Sequence, residues 1–365
     1  MTGRFIFASW DGGGNTNPAF NLAKRLMPRG HEVLMLGWPS MATRAADARI
    51  PFASYAGITA WPEGNLDDDW EWVAALLGGD DVQADIVRRA NDFGADVVVV
   101  DCMMSAASRA AHQLGLASSV LCHTLYRPFR DEWGDLVVGD VKAMLDQATQ
   151  VLIVVPPGLD TPGYLPPGTE YVGSICEPGS PDASRLVDWD LDLLASSDET
   201  WVLLSLSTTM MSQTRALGPM LEALGALPVR VLLTLGGAVA REDVSAPDNV
   251  LVRDVVPHDF VLPYVDLVLS HGGLSTVTAA LSAGKPLVLI PQGRDQSLNA
   301  QRVEACGVGL GLDRESTPSV IAEAVTTVLG NPQFVDAARQ FSESAVGLGR
   351  GELAAQRLEG LLAEP

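Results

Sequence analysis

Short Val/Leu-rich runs alternate along this chain with Ala/Leu-rich stretches, and no other feature constrains its fold as strongly. Phe5–Ser9, Val33–Leu36, Val97–Asp101, Val120–His123 and Val151–Val155 form one series of runs. Val202–Ser207, Val231–Leu235, Val250–Val252, Leu267–Ser270 and Pro286–Ile290 form a second. Most are too short for helices and end on turn or polar residues. Between them, Ala19–Pro28, Ala106–Leu114 and Thr276–Ala283 show the apolar spacing of helices. Apolar strands separated by helices predict parallel sheets covered on both faces. Pro156–Glu199, with PPGLDTPGYLPPG and EPGSPDAS, is the most Pro/Gly-rich segment and reads as a connection between domains. The 365 residues suit two α/β domains, expected at 1–190 and 200–345. Both are expected to be doubly wound and Rossmann-like, facing each other across a cleft. Ligands of such sheets bind beyond the carboxyl ends of the strands.

Charge and cysteine content narrow the functions. The chain carries 24 Lys+Arg against 45 Asp+Glu, a net charge of −21, and both halves are acidic. Such a chain repels nucleic acid and anionic membranes at long range, so neither is expected as a partner. No run of about 18 apolar residues is present to span a bilayer. The opening MTGRFIFASW lacks the charged region, long apolar region and cleavage site of a leader peptide. Cys102, Cys122, Cys176 and Cys306 show no CxxC spacing, so reduced buried thiols, no metal site and a cytoplasmic location are expected. The acidic stretch Glu63–Glu71, with Trp61, Trp70 and Trp72 around it, reads as a solvated loop flanking a helix.

Two loops carry candidate chemistry. After the first run comes WDGGGNTNP, a glycine-rich turn into a helix. The dinucleotide fingerprint fails here, because Asn17 stands where its third glycine belongs and the second strand lacks the ribose-binding acid. Asn17 is read instead as the cap of a helix that starts at Pro18. In the second half, Ser270-His271-Gly272-Gly273-Leu274-Ser275-Thr276 joins an apolar run to a helical stretch. Backbone N–H groups, hydroxyls and the helix dipole converge there and suit a phosphate or diphosphate. The next strand leads into Pro291-Gln292-Gly293-Arg294-Asp295-Gln296-Ser297-Leu298-Asn299-Ala300, a polar cluster suited to sugar hydroxyls.

The segment RDVVPHDFVLPYVDLVLSHGGLSTVTAALSAGKPLVLIPQGRDQSLNAQRVEACGVG resembles the nucleotide-sugar signature of family 1 glycosyltransferases, of GT-B fold. It is most similar to the actinobacterial antibiotic and macrolide group. FASWDGGGNTNPAFNLAKRLMPRGHEV and VVVVDCMMSAASRAAHQLGLASSVLCHTLY resemble the opening and middle of that group. The resemblance implies that His271, Gly272, Gly273, Ser275 and Thr276 hold the diphosphate and that Ser207 and Thr208 approach the β-phosphate. It places the base against the backbone of Val256 and the sugar against Asp295 and Gln296, with Gln292 and Gly293 shaping the wall. The last helix, about 351–363, would cross back onto the first domain. The implied reaction is inverting transfer from a TDP- or UDP-sugar, a co-substrate, to a small hydrophobic phenolic or polyketide-like natural product. No cofactor or metal is implied, and a homodimer is left open. A nucleotide-sugar 2-epimerase-like isomerase and a non-catalytic partner protein that binds sugar nucleotide are the competing readings.

The general base departs from the resemblance. Many relatives carry a histidine in the first loop where this chain has Asn15, and an amide is no base at neutral pH. His123, Asp11 and Asp101 are the replacements that the sequence offers. Trp10, Trp61, Trp70 and Tyr126 are expected to line an apolar acceptor site. Without the loop histidine, the acceptor is expected to be more acidic than an aliphatic alcohol. Asn15→His is predicted to shift preference from phenol toward alcohol acceptors in parallel rate assays; an unchanged ratio of the two rates contradicts this.

Overall fold

The computed structural model describes residues 2–56, 70–176, 194, 198–206, 213–236, 239–254 and 256–362. Each of the ten apolar runs overlaps a strand. The chain divides into two compact units, Met1–Pro178 with Ala345–Pro365, and Gly179–Ser344. Each is a Rossmann-like α/β unit built on one parallel sheet.

The sheet of the first unit contains Arg4–Ala8 (β1), Glu32–Gly37 (β2), Phe52–Ser54 (β3), Val97–Asp101 (β4), Ala117–Cys122 (β5), Gln150–Ile153 (β6) and Thr169–Tyr171 (β7). Its order is β3-β2-β1-β4-β5-β6-β7, and every pairing is parallel. The chain therefore winds outward from β1 in one direction and from β4 in the other. Phe5, Ile6, Phe7 and Val97 to Val100 are all buried, as strands covered on both faces require. The helix Ser105–Leu114 lays Ala106, Ala107, Ala110 and Ala111 inward, at the spacing of one helical face.

The second unit repeats the plan with six strands. They are Trp201–Ser205 (β8), Arg230–Thr234 (β9), Val250–Arg253 (β10), Leu267–Ser270 (β11), Leu287–Leu289 (β12) and Gly309–Gly311 (β13). The order is β10-β9-β8-β11-β12-β13, again entirely parallel. Val202, Leu204, Val231, Leu233, Leu267, Leu269 and Val288 face Met220, Leu224, Val325 and Val328 in its core.

Three edge strands escape the hydrophobic pattern, because β3, β7 and β13 are each three residues long and only partly apolar. The connection expected at Pro156–Glu199 also begins too early. Leu159 and Asp160 are buried, and β7 completes the first sheet by pairing with β6. Asp160 accepts hydrogen bonds from the backbone of Tyr126 at 2.8 Å and Thr161 at 2.7 Å, and from the Tyr171 hydroxyl at 3.1 Å. Prolines and glycines here shape a packed loop. The first helix runs Thr16–Leu26, two residues earlier than the cap assignment at Asn17 places it. Asn17 Oδ1 instead accepts from Arg44 Nη2 at 2.7 Å.

The closing helix, Glu352–Gly360, packs on the first helix of the same unit and buries Ala354, Ala355 and Leu358. Arg29 pairs with Glu352 and with Glu359, the latter at 2.7 Å, and His31 Nε2 meets Glu359 at 3.1 Å. Arg25 is the buried part of this contact. Its guanidinium donates to the carbonyls of Cys176 at 2.6 Å and Arg350 at 2.9 Å, and Nε lies 3.3 Å from Glu352. Burial lowers its pKa, and Glu352 opposes that shift. Arg25→Met is expected to cost roughly 1–3 kcal/mol, because it leaves buried carbonyls without donors. Arg25→Lys should recover little, since a point charge cannot reproduce the planar fork. Chemical denaturation of the three proteins checks this, and equal midpoints contradict it.

Candidate active site

In each sheet the two central strands, β1 and β4 or β8 and β11, carry loops that leave in opposite directions. Their carboxyl ends form the crevice where doubly wound sheets bind ligands. Most of the described candidate residues lie, within each unit, at these ends or at those of the neighbouring strands β5 and β12.

In the first unit they gather on Asp101, the last residue of β4, which is 5% exposed. Its Oδ1 accepts from Trp10 Nε1 at 3.2 Å and from the Met103 amide at 3.0 Å. His123 Nε2 lies 3.0 Å from the same oxygen, and Asn15 Nδ2 donates to Oδ2 at 3.0 Å. Asn15 also donates to the Trp10 carbonyl at 3.0 Å, and its Oδ1 accepts from the Gly12 amide at 3.0 Å. The amide that replaces the loop histidine is thus a tie between the glycine-rich loop and β4. Asp11 faces elsewhere in the same loop and accepts from Ser40 Oγ at 2.6 Å.

Two expected acceptor contacts are corrected. Trp10 is 3% exposed, packs on Trp38 at 5.8 Å between ring centroids, and turns its N–H to Asp101. Tyr126 is 1% exposed. Asp160 anchors its backbone, so its ring is core. Trp61 lies outside the described residues, as does the side chain of Trp70 at the start of the helix Trp70–Leu77. Cys102 and Cys122 are free and fully buried, and burial raises the Cys102 thiol well above its ordinary range. Sequence spacing gave the cysteines no metal-ligand partners, yet β4 and β5 bring Asp101, Cys102 and His123 donor atoms within 4.8 Å of one another.

In the second unit His271 follows β11 and is 6% exposed. Among the described residues its Nδ1 has no hydrogen-bond partner. Gly272 has φ 87°, open to glycine but strained for other residues, and Ser270 Oγ accepts from its amide at 3.0 Å. At Gly273 a Cβ would stand 2.5 Å from His271 Nε2, so the second glycine makes room for the imidazole. The helix Leu274–Ser282 starts immediately after, with Ser275 exposed and Thr276 buried. Its first N–H groups have no intrahelical acceptors, which leaves the positive end of the dipole beside His271.

The following loop is tied to this one through Asn299, which is 1% exposed. Asn299 Nδ2 donates to the Gly272 carbonyl at 2.9 Å and reaches Asp295 Oδ2 at 3.3 Å. Asp295 precedes the helix Gln296–Ala305 and is half-buried. Gln296 Oε1 accepts from the amides of Gln292 at 2.7 Å and Gly293 at 3.3 Å, and Gln292 Nε2 donates to the Ile290 carbonyl at 3.0 Å. Both glutamines are buried and brace the loop. Val256 is buried just before His258, whose Nε2 lies 3.2 Å from Ser205 Oγ at the end of β8. Ser205, His258, Ser270 and Asn299 were given no individual role from the sequence, although the last three lie in motif stretches read there. Two of them are the polar last residues of apolar strands, and that pattern was a usable signal. Ser207 and Thr208 lie outside the described residues.

Residues 218–361 match the family model described as erythromycin biosynthesis protein CIII-like, C-terminal domain. The chain is 26% identical to 4'-demethylrebeccamycin synthase of Lentzea aerocolonigenes, over 94% of this chain and 96% of that protein. It is 30% identical to demethyllactenocin mycarosyltransferase of Streptomyces fradiae, over 54% of this chain and 44% of that protein. The fold is similar to that of the spinosyn forosaminyltransferase SpnP, with a TM-score of 0.78, 21% identity and 100% of both chains covered. The calicheamicin glycosyltransferase CalG4 is similar in fold at the same score, with 19% identity, 100% of this chain and 99% of that chain covered.

His271 carries a pH signature. Burial, helped by Arg294 and His258, lowers its pKa from 6.5 to about 4 and outweighs a hydrogen bond to the Ser205 backbone. The unfolded chain takes up this proton below about pH 6.5, whereas the folded chain refuses it until about pH 4. The stability is complete above the higher value and is lost as pH falls toward the lower, by roughly 3 kcal/mol. His271→Gln is expected to flatten the acid dependence of unfolding free energy by about that amount between pH 6.5 and 4. An unaltered slope contradicts a buried neutral histidine.

Proposed function

We propose that this chain, which belongs to the antibiotic-type glycosyltransferases of GT-B fold, transfers a sugar from a TDP- or UDP-sugar to a small hydrophobic natural product, with His123 as general base. The observation that carries the proposal is the 3.0 Å contact of His123 Nε2 with Asp101 Oδ1 at the carboxyl ends of β5 and β4. A carboxylate beside an imidazole orients it and stabilises the imidazolium formed when it takes a proton. Asp101 itself already accepts from four donors, and Asp11 is engaged by Ser40. Of the three replacements for the loop histidine, His123 suits the task best.

The acceptor hydroxyl gives its proton to His123 as its oxygen bonds to the anomeric carbon. The bond from that carbon to the phosphate oxygen breaks, the anomeric centre inverts, and the nucleoside diphosphate leaves with the electron pair. His271, Gly272, Gly273 and the helix start at Leu274 supply preorganised donors for the leaving charge. Asp295 meets sugar hydroxyls from the neighbouring loop, while Gln292, Gly293 and Gln296 hold that loop in shape. No resident cofactor takes part in this scheme. Relatives named 4'-demethylrebeccamycin synthase and demethyllactenocin mycarosyltransferase support an acceptor of the natural-product class, proposed as phenolic or polyketide-like. Among the described residues no helix is long and apolar enough to cross a membrane, consistent with the cytoplasmic location proposed for this step.

TDP- and UDP-hexoses incubated with a phenolic library should yield glycosides by mass. His123→Gln is expected to lower kcat by about 10²–10⁴-fold, with the donor KM little changed, whereas Asp11→Asn should stay within a few-fold of wild type. A collapse in Asp11→Asn with His123→Gln near wild type overturns the assignment. A new free sugar or sugar nucleotide in place of a glycoside overturns the transfer itself.

A further inference from the structure

We propose that Asp101, Cys102 and His123 form a zinc-binding site, and that zinc held there blocks transfer by occupying the general base. One carboxylate oxygen, the thiol sulfur and an imidazole nitrogen all lie within 4.8 Å of one another. The residues are 21 or more positions apart in sequence except for the adjacent Asp101–Cys102 pair, and the sheet unites them. Asp101 of β4 is in register with Leu121 of β5, so Cys102 and His123 emerge from neighbouring carboxyl ends.

In a tetrahedral site with metal–ligand distances of about 2.0–2.3 Å, ligand atoms stand roughly 3–4 Å apart. The Asp101–His123 separation of 3.0 Å is already close to that, and the sulfur needs to approach by about an ångström at most. Thiolate, imidazole and carboxylate together suit zinc and disfavour magnesium or calcium, which prefer oxygen. Three protein ligands leave a fourth position for water.

The surroundings fit as well. Ligating carboxylates are normally held by hydrogen bonds of their own. Here the Trp10 indole, the Met103 amide and the Asn15 amide fix Asp101. Asn15 keeps its bond to Oδ2, and on Oδ1 the metal takes the place of the His123 Nε2 contact beside the Trp10 and Met103 donors. On binding, the Cys102 thiol loses its proton to solvent, and the cation stabilises the thiolate where burial alone favours the thiol. With Nε2 on zinc, the neutral His123 ring carries its one proton on Nδ1 and cannot accept another from an acceptor hydroxyl. The blocking half of the proposal rests on His123 as base, whereas the binding half does not.

The test uses the whole purified chain with zinc alone and with cobalt(II) alone. Equilibrium dialysis should give one tight zinc per chain, and cobalt should produce a near-ultraviolet thiolate-to-metal charge-transfer band. Cys102→Ser is expected to abolish the band and weaken zinc binding by more than the roughly 10–100-fold that a lost outer-shell partner costs. His123→Gln should weaken binding independently, and Cys306→Ser, on the other unit, should leave both readouts unchanged. A missing band, wild-type zinc affinity in Cys102→Ser, or loss of the band in Cys306→Ser overturns the site. Zinc should inhibit transfer by wild type, with relief by chelator, and Cys102→Ser should resist it by at least the same factor. Zinc bound tightly with an unaltered transfer rate overturns the blocking half and counts against His123 as base. Absence of binding overturns the site and leaves that assignment standing.

Discussion

All-parallel strand pairing is the constraint from which the rest of this molecule follows. Parallel neighbours cannot be joined by tight turns, so most of the described connections cross over through helices, β6 and β7 being joined by the packed loop instead, and within each sheet the strands end at the same edge. Where the winding reverses, between β1 and β4 and between β8 and β11, two adjacent ends are left uncrowded. Asp101 ends β4, and Ser205 and Ser270 end β8 and β11. The polar residues of each unit gather at and beside these ends, with His123 following β5 and Gln292 to Gln296 following β12.

The two openings solve opposite electrostatic problems. At β4 a buried carboxylate is matched by an indole, two amides and an imidazole, so the cost of its burial is met by hydrogen bonds. At β11 a buried imidazole is held neutral, its Nδ1 without a hydrogen-bond partner among the described residues, next to a helix start. A chain of net charge −21 would gain nothing from long-range attraction in capturing the proposed diphosphate. Local dipoles and a neutral donor nitrogen therefore suit the second unit better than an open basic surface would.

Much of this was legible in the residues. Val97–Val100 and Leu267–Leu269 read as buried strands because they are apolar without interruption, and both are. His271 with Gly272 and Gly273 stood out as a glycine-rich entry to a helix, and the structure gives the glycines their reason: a φ of 87° at Gly272 and, at Gly273, a Cβ that would stand 2.5 Å from His271 Nε2. Other features depend on contacts that no local pattern encodes. β7 carries Thr169, Glu170 and Tyr171 and becomes a strand only through the edge that β6 offers. Trp10 and Tyr126 read as amphipathic acceptor contacts, but Asp101 and Asp160, about 91 and 34 residues away, draw them into the core. Asn15 read as a lost base, and its structural role appears only once β4 lies alongside the loop.

The central claim is that the imidazole of His123, just beyond β5, performs the proton transfer for which the first loop carries no histidine. Chemical rescue measures this most directly. His123→Gly leaves a space for added imidazole next to Asp101, and its transfer rate on a phenolic acceptor can be followed as imidazole is raised. The account predicts a severely slowed variant whose rate climbs with imidazole concentration. A His123→Gly protein that transfers sugar at the wild-type rate without imidazole would contradict it.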